Sequence, residues 1–200
     1  MNSIKDIDTL EALYDAAIPA SIDKVQTKLT PKYRAWIEAS SFVVLSTVGP
    51  EGTDASPRGD VDSVVRVADE QTLWLPDWRG NNRMDSLRNI VRDGRVSLMF
   101  MVPGSNNVVR VNGTAVLTAD AQVTQQFEQK NKHPRSVIVI SIGEIYYQCA
   151  KAIMRAGLWR QDTQLKKVPT AGEFNKEIKP DFDAESYDAD YPEYAKDRMW

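Results

Sequence analysis

The spacing of apolar positions changes along this chain, and each change marks an element. Ile7, Leu10, Leu13 and Tyr14 recur three and four residues apart, which predicts a helix over 7–17. Thr30 can cap free N–H groups and Pro31 suits a first helical turn, so a second helix is expected to run to Ala39. Phe42-Val43-Val44-Leu45-Ser46-Thr47-Val48 is β-branched and apolar, hence a strand, and Gly49-Pro50-Glu51-Gly52 turns it back into 55–60. Residues 61–67 continue extended, Asp69-Glu70 turns, and 72–76 returns. A helix is expected over 81–92. Strands follow over 96–102 and 108–118, separated by Pro103-Gly104-Ser105-Asn106. Then come a short amphipathic helix at 120–130, a long extended segment at 135–147 and a helical 148–159.

Six or seven strands joined mainly as hairpins, with helices at one corner and at the ends, predict a mainly β (α+β) fold. The expected form is a closed antiparallel barrel. Helices do not alternate with strands and no G-x-G-x-x-G follows one, which argues against a parallel dinucleotide-binding sheet. Pro57 within a strand pattern marks an edge or bulge, and Asn112-Gly113 reads as a β-bulge. The domain is expected to span 1–160. Residues 161–200 form an acidic extension with Tyr187, Tyr191 and Tyr194, for which disorder, wrapping of a neighbouring subunit and covering of a cleft are the open readings.

Two hundred residues at 42% hydrophobic content suit one domain with ample core. A net charge of −3 offers nothing to a polyanion or acidic membrane as a whole, and no stretch approaches the ~18 apolar residues of a membrane helix. The first thirty residues hold Asp6, Asp8, Glu11 and Asp15 instead of a signal-peptide core, so a soluble cytoplasmic protein is expected. The lone Cys149 excludes internal disulfides and reads as a small buried thiol. His133 is the only histidine and lies in a polar run, which leaves neither a Ser-His-Asp triad nor a Cys/His zinc site; no metal is expected.

Charge changes the picture in one stretch. From Arg58 to Arg110 the chain carries eight of its thirteen arginines and none of its twelve lysines. Arginine grips phosphate through a planar fork, lysine only as a point charge. The seven arginines from Arg58 to Arg95 are matched by seven acids, so solvated ion pairs compete with ligand binding as the explanation. Arg88 and Arg92, one turn apart, fit the solvated face. Arg79 and Arg83 flank Gly80-Asn81-Asn82, a turn that opens a helix, and a helix N-terminus favours an anion. The local neutrality disfavours nucleic acid.

Three blocks resemble the pyridoxamine 5'-phosphate oxidase-like flavoproteins, FMN-binding split β-barrels, across roughly residues 36–159. They are Ala55-Ser56-Pro57-Arg58-Gly59-Asp60, the stretch 73–90 with Leu75-Pro76-Asp77 and Arg79-Gly80-Asn81-Asn82-Arg83, and Arg110-Val111-Asn112-Gly113-Thr114-Ala115. Cys149-Ala150-Lys151-Ala152-Ile153-Met154-Arg155 supports them. The long middle block is the specific one.

The resemblance implies a homodimer with FMN at the interface, contacted by both chains. It places Arg66 near a basic strand position, and Asn82-Arg83 at a turn, that together hold the cofactor phosphate. Trp74, Leu75 and Pro76 would line the edge of the flavin ring, and Arg110 and Asn112 of the partner would meet its pyrimidine side. Lys151 and Trp159 are candidates for closing the site, and Arg58, Arg79, Asn81 and Ser86 complete the cofactor set. No catalytic side chain is assigned. The expected activity is an FMN-dependent oxidoreductase using NADH, NADPH or a small organic substrate. The alternative is a protein that binds or senses FMN or a deazaflavin without turnover. Vitamin B6 oxidation is not expected, because no histidine follows His133 where those oxidases carry arginine–x–histidine. The histidines of the haem-degrading branch are also missing.

Overall fold

The computed structural model describes residues 1, 3–160 and 168–200. In chain order the elements are α1 (Ile7–Glu11), α2 (Pro19–Asp23), α3 (Pro31–Glu38), β1 (Phe42–Gly49), β2 (Gly52–Gly59), β3 (Arg66–Val67), β4 (Thr72–Asp77) and α4 (Asp85–Arg92). They continue with β5 (Arg95–Met101), β6 (Val108–Thr118), α5 (Ala121–Thr124), β7 (Ser136–Gln148), α6 (Lys151–Ala156), α7 (Ala171–Ile178) and α8 (Ala184–Lys196). Thr30 caps α3 by accepting from the Tyr33 N–H, as its place before Pro31 leads one to expect.

All strand pairings are antiparallel, in the order β2-β1-β5-β6-β7-β4-β3. The sheet is open, not the closed barrel expected: β2 and β3 are its two ends and do not pair. Pro57 explains part of this, since a residue without an N–H belongs on an edge strand, and β2 is one. Along each central strand alternate residues are buried. Val43, Leu45, Leu98, Phe100, Val111, Ile138, Ile140 and Ile145 are fully enclosed on the inner face, each contributing about 1.5–3 kcal/mol by its removal from water.

The expected bulge is present between Asn112 and Gly113, where the β6–β7 register shifts. A Cβ at Gly113 would lie 2.0 Å from the Ser141 carbonyl oxygen, so no side chain fits. Past the end of α4, Asp93 takes the forked guanidinium of Arg95, with contacts of 2.6 to 3.1 Å that hold its carboxyl down at about 2.

Four expectations need correction. Residues 61–67 supply only the two-residue β3. The helix expected over 120–130 stops at Thr124 and is followed by a tight turn in which Gln129 and Lys132 exchange backbone bonds of 3.0 and 2.9 Å. Cys149 is exposed, not buried. The helix expected from residue 81 starts at Asp85. Asn81 accepts from the Arg83 N–H, and Asn82 and Met84 take left-handed φ values of 60° and 61°, so the asparagines shape a loop instead of capping a helix.

The expected boundary after residue 160 meets residues 161–167, which lie outside the described residues. Beyond them α7 and α8 form a helical hairpin. Thr170 and Glu173 make a capping box, and Gly172 packs so closely that a Cβ would lie 2.5 Å from the Ala184 carbonyl. Phe182, Tyr187, Tyr191 and Tyr194 stack in sequence at 5.4, 5.8 and 6.3 Å between ring centroids.

Candidate functional site

The opening of the sheet holds a cavity of about 880 Å³, bounded by β2 on one side and the end of β4 with the 78–87 segment on the other. Its size falls within the range of cofactor pockets. β2 presents Asp54, Ser56 and Arg58, alternate residues paired with Thr47, Leu45 and Val43 of β1 and so turned to the inner face. Leu75, Pro76 and Val64 supply an apolar wall; Leu75 is 1% exposed.

Polar side chains on the wall are tied to one another. Arg58 donates to Asp77 at 2.6 Å and to Ser56 at 3.3 Å, with both charged side chains about four-fifths buried. This pair joins β2 to β4 across the opening. Ser86, in the first turn of α4 and 3% exposed, donates to Asp54 and meets Ser56 at 3.0 Å. Trp78 donates its indole N–H to Asp60 at 2.8 Å, which fixes the ring at the cavity wall.

Of the candidate residues named from the sequence, Arg58, Leu75, Pro76, Arg79, Asn81, Asn82, Arg83 and Ser86 line this one cavity. Arg83 is largely exposed and donates to Asp85, while Arg79 is exposed on the same rim. The others lie elsewhere. Trp74 alternates with buried Leu73 and Leu75, so it faces outward, beside Arg66 and Val139 in register. Arg66 donates to the Gln126 carbonyl at 3.1 Å. Arg110 and Asn112 alternate with buried Val109 and Val111 on the outer face of β6. Arg110 lies over the Tyr146 ring at 5.4 Å, and Asn112 donates to Glu144 at 2.6 Å. Trp159 donates to the Ser105 carbonyl at 2.7 Å and braces the β5–β6 turn; Lys151 opens α6 in solvent.

The cavity also contains residues that the sequence reading missed: Asp77, Trp78, Arg135, Ser136 and Met199. Register explains Arg135, because Ser136 of β7 pairs with Asp77 of β4 and brings the preceding arginine to the rim. Asp77 and Trp78 sit inside the quoted Leu75–Arg83 block and could have been found there. Nothing local in the sequence points to Met199.

A sequence model of the pyridoxamine 5'-phosphate oxidase family matches residues 29–149, well over half the chain and including every residue just described except Lys151, Trp159 and Met199. The chain belongs to this family. No curated protein matches it. Among solved structures, HupZ from Group A Streptococcus is 17% identical, covering 58% of this chain and 91% of its own, with a TM-score of 0.48. A Lactobacillus delbrueckii protein, itself a candidate pyridoxamine 5'-phosphate oxidase, is 24% identical, covering 60% and 95%, also at 0.48. An F420 reductase is 15% identical, covering 60% and 98%, at 0.43. Among the described residues no helix is long and apolar enough to cross a membrane, and no cluster of His, Cys, Asp and Glu could hold a metal.

Proposed function

We propose that this protein is an FMN-dependent oxidoreductase whose cofactor occupies the cavity in the sheet opening. One observation carries the reading: three arginines, Arg79, Arg83 and Arg135, rim a cavity whose wall is Leu75, Pro76 and Trp78. A flat apolar body with an anionic tail is the ligand such a surface suits, and the donor set fits FMN. Asn82, Arg83 and the start of α4 would take the phosphate, and the apolar wall would take the ring. When bound, the flavin supplies the electron-transfer chemistry.

The chain's own part is to bind and orient. Asp54, Asp77 and Asp85 are each engaged, with Ser86, Arg58 and Arg83 respectively, so no carboxylate on the wall stands ready as a general acid or base. That same observation favours the second reading, a protein that holds or senses FMN or a deazaflavin without turnover. The outward Arg110 and Asn112 enter the site in a homodimer, where each would reach the partner's cofactor and face the pyrimidine side of the ring. Pro57, Val44, Met99, Arg110 and Tyr146 stand in register across β2-β1-β5-β6-β7, a row apolar apart from Arg110 and suited to a second copy.

Purified protein is expected to be yellow, or to become so after FMN addition and desalting; colourless protein defeats the FMN-dependent oxidoreductase. Anaerobic mixing with NADH or NADPH then separates the two readings. Bleaching at a catalytic rate identifies an enzyme that takes electrons from a nicotinamide, and no bleaching with either donor or with a panel of small organic reductants identifies a carrier.

A further inference from the structure

The end of α8 and the segment that follows it meet the Gln129–Lys132 turn. Lys130 Nζ donates to the Lys196 carbonyl at 3.2 Å, and Lys132 Nζ donates to the carbonyls of Asp197 at 3.2 Å and Trp200 at 3.0 Å. The Lys130 ammonium also lies 5.1 Å from the centroid of the Trp200 ring. Lys130 and Asn131 both hold left-handed φ values, 51° and 60°, the backbone a two-residue hairpin needs, so the turn presents its two lysines in a fixed direction. Between these anchors Met199, half exposed, lines the same cavity as Arg79 and Arg135.

The other side of the turn is bonded to the cavity wall. Gln129 donates to Asp60 at 3.1 Å, and Asp60 also accepts the Trp78 indole N–H. A single turn thus holds both a wall residue and the tail segment that borders the mouth. The anchoring lysines are exposed and their contacts individually weak, which suits a seat that releases and re-forms.

We propose that residues 197–200 form an adjustable wall at the mouth of the cavity, latched by Lys130 and Lys132, that controls entry and exit of a flat-bodied anionic ligand. The identity of the ligand rests on the flavin reading; the latch does not.

Two experiments on the full-length chain test the two parts. In a Cys149→Ser background, Ser136→Cys places a thiol on the cavity lining, and its rate of reaction with a disulfide reagent is measured without flavin. Adding Lys132→Ala should raise that rate about threefold or more, as expected for losing a few exposed contacts, and Lys132→Arg should restore it. Lys176→Ala, an exposed position on α7, is the control. Equal rates for all variants overturn the latch whether or not the protein binds flavin. In the second experiment, FMN dissociation from wild type, Lys132→Ala and Met199→Ala is followed by flavin fluorescence, and both variants should release FMN roughly three- to tenfold faster. Unchanged release from a wild type that does bind FMN overturns the role of the wall. A wild type that binds none defeats the flavin reading, and thiol reactivity still decides the latch.

Discussion

Two arginines that the sequence assigns to different surroundings, Arg83 to a turn and Arg92 to a solvated helix face, have different neighbours in the fold. Arg83, in the loop before α4, sits on the cavity rim and shares its guanidinium with Asp85; Arg92, at the end of α4, reaches Glu51 at 3.1 Å, with both partners well exposed. Arg83→Ala is expected to weaken FMN binding about tenfold, the lower end for a charged hydrogen bond, because Asp85 competes for the fork. Arg83→Lys should recover only part of the loss, since lysine keeps charge without the planar fork. Arg92→Ala should leave affinity unchanged. Riboflavin, which lacks the phosphate, is the control: equal losses for FMN and riboflavin would show that Arg83 supports the fold instead. Arg135→Ala should also weaken FMN binding by severalfold, and a titration indistinguishable from wild type would remove Arg135 from the site. No periodicity reveals Arg135. It lies outside the lysine-free stretch, and only the β4–β7 register brings it to the rim.

At the scale of elements, the strands were legible because apolar alternation and turn residues agree. Phe42–Gly49 and Val108–Thr118 fall within a residue of their expected bounds, and Gly113 sits at the expected bulge. The start of α4 was not legible, since an asparagine suits a helix cap and a left-handed loop equally, and the competition is settled by tertiary contacts. The helices of the tail were concealed by Pro192, which lies inside α8, although Tyr187, Tyr191 and Tyr194 already had helical spacing. Arg58, named from the sequence among the cofactor residues, lines the cavity and also holds β2 to β4 through its contacts with Asp77 and Ser56. Breaking a pair that is four-fifths buried strands its partner, so Asp77→Ala should cost about 1–3 kcal/mol in urea unfolding. An unchanged midpoint would mean that β2 and β4 need no such tie.

For the whole molecule the decisive feature is that residues expected around one cofactor are held apart, some in the cavity and others outside it. Arg58, Arg79, Asn82 and Arg83 line the cavity; Arg110 and Asn112 stand on the outer face of β6, with Met99 beside them at 36% exposure. One chain cannot bring both surfaces to a single ligand without dismantling its core, whereas the proposed two-fold pair could, because each copy would offer its outer face to the other's opening. On this reading site and dimer are a single property. Met99→Glu places an acid among the apolar side chains Val44 and Pro57 of this row, opposite Arg110 and away from the cavity, and it is expected to yield a monomer by light scattering at micromolar concentration. The same variant should bind FMN at least ~tenfold more weakly, since losing a partner that completes the site costs at least one charged contact. Arg110→Ala should weaken FMN binding while leaving the dimer intact. A Met99→Glu monomer that binds FMN as tightly as wild type would show that the cavity is a complete site in one chain, and that Arg110 and Asn112 serve the sheet alone.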